Sequence, residues 1–148
     1  MAVLVYSIVR RHMKRAAPGA FTVFSENEDP PVKLSLAPEE SLIGWYRNPP
    51  PWEHYLVVFT SEALYLVDGE QVERLAIKNI IGYARPRSKR DVTGVRVLTK
   101  DGFRFVRIAG HCGPEGNQRD AFSFISVIRG LVPGNPLVAD EGALDDEA

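Results

Sequence analysis

A mostly β chain closed by one C-terminal helix is what this sequence predicts, and three observations carry the expectation. Short apolar runs rich in Val, Ile, Leu and aromatics recur with turn residues between them. Two of those connections are Asp-Gly pairs, Asp68-Gly69 and Asp101-Gly102, which favour tight hairpins. After "HCGPEGN" the apolar period changes to three and four residues.

The elements follow in chain order. The stretch "AVLVYSIV" precedes "RRHMKR". A secretory signal carries its basic residues before the apolar run, so the order here is reversed, and the run is too short for the ~20 residues that a membrane span needs. Val5, Ile8, Val9 and Met13 fall at helical spacing, with Arg10, Arg11, Lys14 and Arg15 on the flank. Such a segment either packs on its own domain, frays, or lies on a membrane or partner. Residues 1–35 are read as an N-terminal extension and linker, with "FTVF" as one short strand.

Seven strand-like runs come next: "SLIGWYR", "HYLVVFT", "ALYLV", "QVERLAI", "IIGYA", "TGVRVLT" and "FRFVRIA". A Pro-rich loop, "NPPPWE", separates the first two. Asp68-Gly69 and Asp101-Gly102 are expected in type I′ turns, where glycine supplies positive φ. The closing helix should carry Ala121, Phe122, Ile125, Ile128, Leu131 and Val132 on one face, with Asn117 as N-cap and Asp120 in the first turn, and end before Pro133-Gly134. Its apolar stripe would plug the open end of a curved sheet. The compact domain is thus expected over 36–132, followed by an acidic tail over 133–148.

Composition fits an ordinary globular protein: 148 residues, 45 % hydrophobic and 25 % charged, with net charge −1. No whole-molecule attraction to nucleic acid is expected at that charge. Cys112 is the only cysteine, which excludes an internal disulfide and suits a reducing, cytoplasmic setting.

The order of these runs, with "LAPEESLIGWY" leading into the first, "LVVFTSEALYLV" as second and third, "RLAIKNIIGY" as the fourth-to-fifth crossing and "VLTKDGFRFVRI" as the last hairpin, resembles the pleckstrin-homology-like superfold, with GRAM domains and small bacterial PH-like domains nearest in pattern. The resemblance implies a seven-stranded, partly open barrel capped by the helix. It also implies a recognition module, not an enzyme, for lipid head groups, peptides or partner domains. Members that hold phosphoinositides present Lys and Arg from the loops after the first, third and sixth strands. Here those loops supply Arg47 and Lys100, together with Glu53, Asp68, Glu70 and Asp101, so a multiply charged head group would meet repulsion as well as attraction.

Basic residues concentrate elsewhere, in "ARPRSKRD", where Arg85, Arg87, Lys89 and Arg90 sit between the fifth and sixth strands. Arg96, Lys100, Arg104 and Arg107 continue the same sign. This is either a patch for an anionic membrane or for phosphates of nucleic acid, or a solvated loop and outer sheet face. Trp52, on the Pro-stiffened loop, is either an interface anchor ordered at little entropic cost or a lid on the barrel. Trp45 reads as core. His111 and Cys112 are adjacent, so their side chains diverge in an extended segment and suit nucleophilic catalysis badly. No metal or cofactor motif is present. The expectation is a non-enzymatic module for a protein or peptide partner, with a peripheral membrane adaptor as the alternative. Its candidate binding residues are Arg85, Arg87, Lys89, Arg90, Trp52, Arg47 and Lys100.

Overall fold

A computed structural model describes residues 2–25, 28–86, 93–110 and 118–140. The described chain is mostly β, with one antiparallel sheet, one mixed sheet and two α-helices, and the sheets do not close into a barrel. The elements are α1 (Ala2–Met13), β1 (Phe21–Val23), β2 (Leu42–Arg47), β3 (Tyr55–Thr60), β4 (Ala63–Asp68), β5 (Gln71–Ala76), β6 (Ile80–Arg85), β7 (Gly94–Thr99), β8 (Gly102–Arg107), α2 (Gln118–Leu131) and β9 (Leu137–Asp140). The first sheet runs β1-β2-β3-β4-β5 and the second β8-β7-β6-β9.

All seven strand-like runs form strands; β2, β3 and β4 are buried on both faces, their successive side chains entering two separate cores. Three elements lie outside the expected seven strands and single helix. β1 pairs antiparallel with β2, β9 pairs parallel with β6, and α1 packs beside α2. On α1, Val5, Val9 and Met13 are buried in the main core while Arg10, Arg11, Lys14 and Arg15 face water. Its apolar face is therefore used inside the molecule. The helices cross closely at Gly130, where a Cβ would come within 2.8 Å of Ile8 Cγ2.

Both Asp-Gly pairs mark hairpins, but neither turn has the expected I′ form. Asp68 pairs with Gln71, so the loop is Gly69-Glu70, and only Gly69 has positive φ (60°), the pattern of a II′ turn. Thr99 pairs with Gly102, so the loop is Lys100-Asp101, and Gly102 (φ 110°) follows it. Among the described residues only glycines take positive φ.

Tyr46, Phe59, Leu64, Val97, Phe124 and Ile128 share the main core between the sheets and α2. The buried stripe of α2 differs from the expected one: Phe124 and Val127 are fully buried, and Phe122 is 41 % exposed. Phe124 packs edge-on against Phe59 of β3, with ring centroids 6.2 Å apart, while α1 covers the flank of α2 that carries Gly130. Asp120 is buried as well. Its carboxylate accepts from the Ala17 amide (2.8 Å) and the Tyr46 hydroxyl (2.6 Å), tying α2 to the end of α1 and to β2. Burial and the Asp120 carboxylate both push the Tyr46 phenol far above its usual range. Asn117, His111 and Cys112 lie outside the described residues.

No helix among the described residues is long and apolar enough to cross a membrane.

Candidate functional site

The loop "NPPPWE" forms a tight turn: the Trp52 amide donates to the Pro49 carbonyl (2.8 Å) and the Tyr55 amide to the Trp52 carbonyl (2.9 Å). Before the turn, Asn48 is buried and bridges the two sheets. Its Nδ2 donates to the carbonyls of Tyr55 (2.9 Å) and Arg107 (3.0 Å), and its Oδ1 accepts from the Ala109 amide (2.7 Å). One side chain therefore pins the start of β3 to the end of β8, and with it the loop that carries Trp52.

That junction brings Arg107 onto three rings. Its guanidinium carbon lies 4.1 Å from the Trp52 ring centroid, 4.7 Å from Phe105 and 5.2 Å from Tyr55. Cation–π contacts of this kind are worth ~0.5–2 kcal/mol and hold a flexible arginine in one pose. Arg107 Nε is buried and has no hydrogen-bond partner. Phe105 lies over Gly94, where a Cβ would stand 2.4 Å from the ring, and remains 40 % exposed.

Beside the cluster runs a groove of about 330 Å³. Tyr55, Leu56 and Val57 of β3, Leu66, Val67 and Asp68 of β4, and the first residues of β5 form one wall, with Phe105 and Arg107 of β8 opposite. Among the described residues β5 and β8 are both edge strands, each with backbone groups that no neighbouring strand pairs on its outer side. Gln71, Val72, Glu73 and Arg74 of β5 are exposed. Across the groove, Arg104 Nε donates to Glu73 Oε2 at 2.7 Å, which leaves Arg107 as the cation facing it without a carboxylate partner among the described residues. His54 and Asp68 stand 3.8 Å apart at one mouth.

The sequence-derived candidates scatter around this junction. Trp52 is in it, half-buried against Arg107. Arg47 ends β2 with its side chain in solvent and its amide on the Ala20 carbonyl. Lys100 is exposed in the β7–β8 turn, and Arg85 is exposed at the end of β6. Arg87, Lys89 and Arg90 lie outside the described residues. Reading the loops alone missed Phe105, Tyr55 and Arg107 as partners of Trp52. Part of the signal was present, since Phe103, Phe105 and Arg107 alternate onto one face of the strand. Among the described residues, no group of three or more His, Cys, Asp or Glu is arranged to hold a metal. Comparison with known protein families, curated proteins and solved structures finds no match for this chain.

Proposed function

We propose that the chain is a non-enzymatic recognition module of the PH-like kind that binds an extended segment of a protein partner in the groove between β5 and β8. The fold half of this reading is supported by strand order. β2 to β5 form a four-stranded meander, β6 to β8 a three-stranded one, and α2 follows, with α1, β1 and β9 as additions. The binding half rests on one observation, the Arg107 guanidinium fixed among Trp52, Tyr55 and Phe105 with a buried, unsatisfied Nε. A buried donor without a partner is costly, and a ligand carboxylate or carbonyl would satisfy it. Tryptophan and arginine are the residue types that dominate interface energetics, and an extended peptide can add main-chain bonds to a free edge strand.

The membrane alternative is less well supported. Val5, Val9 and Met13 of α1 are buried in the core, so beside its basic residues the helix offers a bilayer, among the described residues, only Leu4 and Tyr6 as exposed large apolar side chains.

Selection of peptides on the intact protein from a random library tests the proposal. Peptides selected by the wild type should lose at least tenfold in affinity with Trp52→Ala and with Arg107→Ala. Joint replacement of Arg85, Arg87, Lys89 and Arg90 by Gln should leave their affinity within about threefold. Failure to select any peptide, combined with salt-sensitive sedimentation on anionic vesicles that those four replacements abolish, would transfer the function to the membrane reading.

A further inference from the structure

A second cleft, about 340 Å³, opens between the two helices and shares no residue with the groove. It is lined by His12 and Arg15 from the end of α1 and its exit, and by Arg119, Phe122, Ser123 and Ser126 of α2. Among the described residues no carboxylate lines it. The nearest acid in sequence, Asp120, is buried and turned to the Ala17 amide and the Tyr46 hydroxyl. Arg119 Nε donates to the Arg15 carbonyl at 3.0 Å, which fixes the guanidinium beside the exit of α1 while its terminal nitrogens stay available. The Ser123 and Ser126 hydroxyls donate to the Arg119 and Phe122 carbonyls at 3.2 and 3.0 Å, bonds that a χ1 rotation can exchange for an incoming acceptor. His12 Nδ1 is buried and has no hydrogen-bond partner. Phe122 remains exposed beside it.

We propose that this cleft binds a phosphate monoester, with Arg15 and Arg119 holding the phosphoryl oxygens, His12 Nδ1 and the two serines completing the shell, and the Phe122 ring covering the group the phosphate is attached to. Two guanidinium forks suit a planar pair of phosphoryl oxygens better than any single cation would. An aromatic beside a cleft larger than one phosphate favours an ester over the free ion. The titratable and charged groups facing His12 are Arg11 and Arg15 from its own segment and Arg119 from α2. Burial first, and then the charges of Arg15 and Arg11, hold the imidazole below its ordinary range. The charge of a bound dianion offsets that of the arginines and favours the protonated imidazole. Binding therefore draws a proton onto His12, and affinity for an anion of constant charge rises as pH falls through the imidazole's bound-state value.

Calorimetry of the full chain with phenyl phosphate at low salt tests the assignment. One site per chain is expected, and Arg15→Gln and Arg119→Gln should each weaken it roughly tenfold. Both residues are exposed, so the melting temperature should not move. In proton NMR the His12 ring titration should shift upward on adding sulfate, which stays a dianion between about pH 8 and pH 5.5 and so separates the imidazole from the phosphate's own second ionisation. Vesicles distinguish the source. Sedimentation with phosphatidic acid, a monoester, but not with phosphatidylserine at equal charge would place the ligand on a lipid, whereas binding of phenyl phosphate without vesicle binding would make it soluble. Loss of either form in the arginine variants supports the site. Absence of binding to both phenyl phosphate and phosphatidic acid, or binding that neither substitution weakens, overturns it.

Discussion

The two sheets of this molecule treat their outer faces differently. On the first sheet, Trp45, Leu56, Val58, Tyr65 and Val67 point away from the main core, yet all are buried, because Phe24, Val32, Leu34 and Leu36 pack over them as a second small core. On the second, Arg96, Phe105 and Arg107 sit on the outer face with Gly94, and Phe105 is 40 % exposed. Among the described residues the linker seals the first sheet, while Phe105 of the second stays partly exposed. The difference supports the proposal that a partner is recognised at the second sheet and its junction with β3.

The largest effect should come from breaking the seal. Trp45 is 3 % exposed and packs under the linker, so Trp45→Ala removes a large buried side chain and leaves a cavity beneath residues 32–36. A loss of about 3–5 kcal/mol is expected in urea unfolding. A loss below about 1 kcal/mol would mean that the linker does not form a true second core.

A smaller effect concerns the polar clamp at the edge of that seal. Glu40 is buried, accepts from the Thr60 and Tyr65 hydroxyls and the Ala37 amide, and lies 3.6 Å from Arg74 Nη2. Burial alone would raise its carboxyl, but the hydrogen bonds from Thr60, Tyr65 and Ala37 and the charge of Arg74 together hold it below the usual range. A depressed folded value contributes stability that is present above the unfolded carboxyl's ~4.3 and is lost as pH falls through the folded value. Glu40→Gln should therefore cost about 1–3 kcal/mol at neutral pH. The gap from wild type should narrow as melts are taken into acid. Parallel melting curves for the two proteins from neutral to acid pH would show that the carboxylate charge does not hold the clamp.

Much of this asymmetry was visible in the residues, and part was not. The seven strands were legible because their alternation is a local property of the pleat, and the two hairpins because glycine marks them. In "PVKLSLAP", Val32, Leu34 and Leu36 alternate like a strand, but the surrounding Pro, Glu and Asp outweigh that signal and the segment reads as a connection. α1 shows its apolar face in sequence, whereas the surface receiving it is set by α2 and by the absence of a Cβ at Gly130, and no local pattern reports a contact across more than a hundred residues. β9 fails for the same reason: four residues paired parallel to β6 have only a distant partner to define them. Within the candidate site, Trp52 stands out by type and by its rigid loop. Arg107 becomes its partner only through the Asn48 bridge between the sheets, and an asparagine before three prolines reads as turn chemistry, not as an inter-sheet clamp.

The smallest stability change, and the one that most sharpens the contrast, is expected at Phe105. Its ring rests on Gly94 and the Arg107 guanidinium, with no covering segment among the described residues, so Phe105→Ala gives up part of an apolar surface that was already in water. With ~25 cal/mol gained per Å² of apolar area buried, the folded state should lose only about 1 kcal/mol or less, against the several lost at Trp45. Arg107 would lose one of its three ring contacts and keep Trp52 and Tyr55, so the groove should persist with a looser cation. Peptides selected on the wild type should then bind at least tenfold more weakly to a variant that melts almost normally. If Phe105→Ala instead unfolded the domain as Trp45→Ala should, the outer face of the second sheet would be core in the same sense as the first, and its availability to a partner would have to be given up.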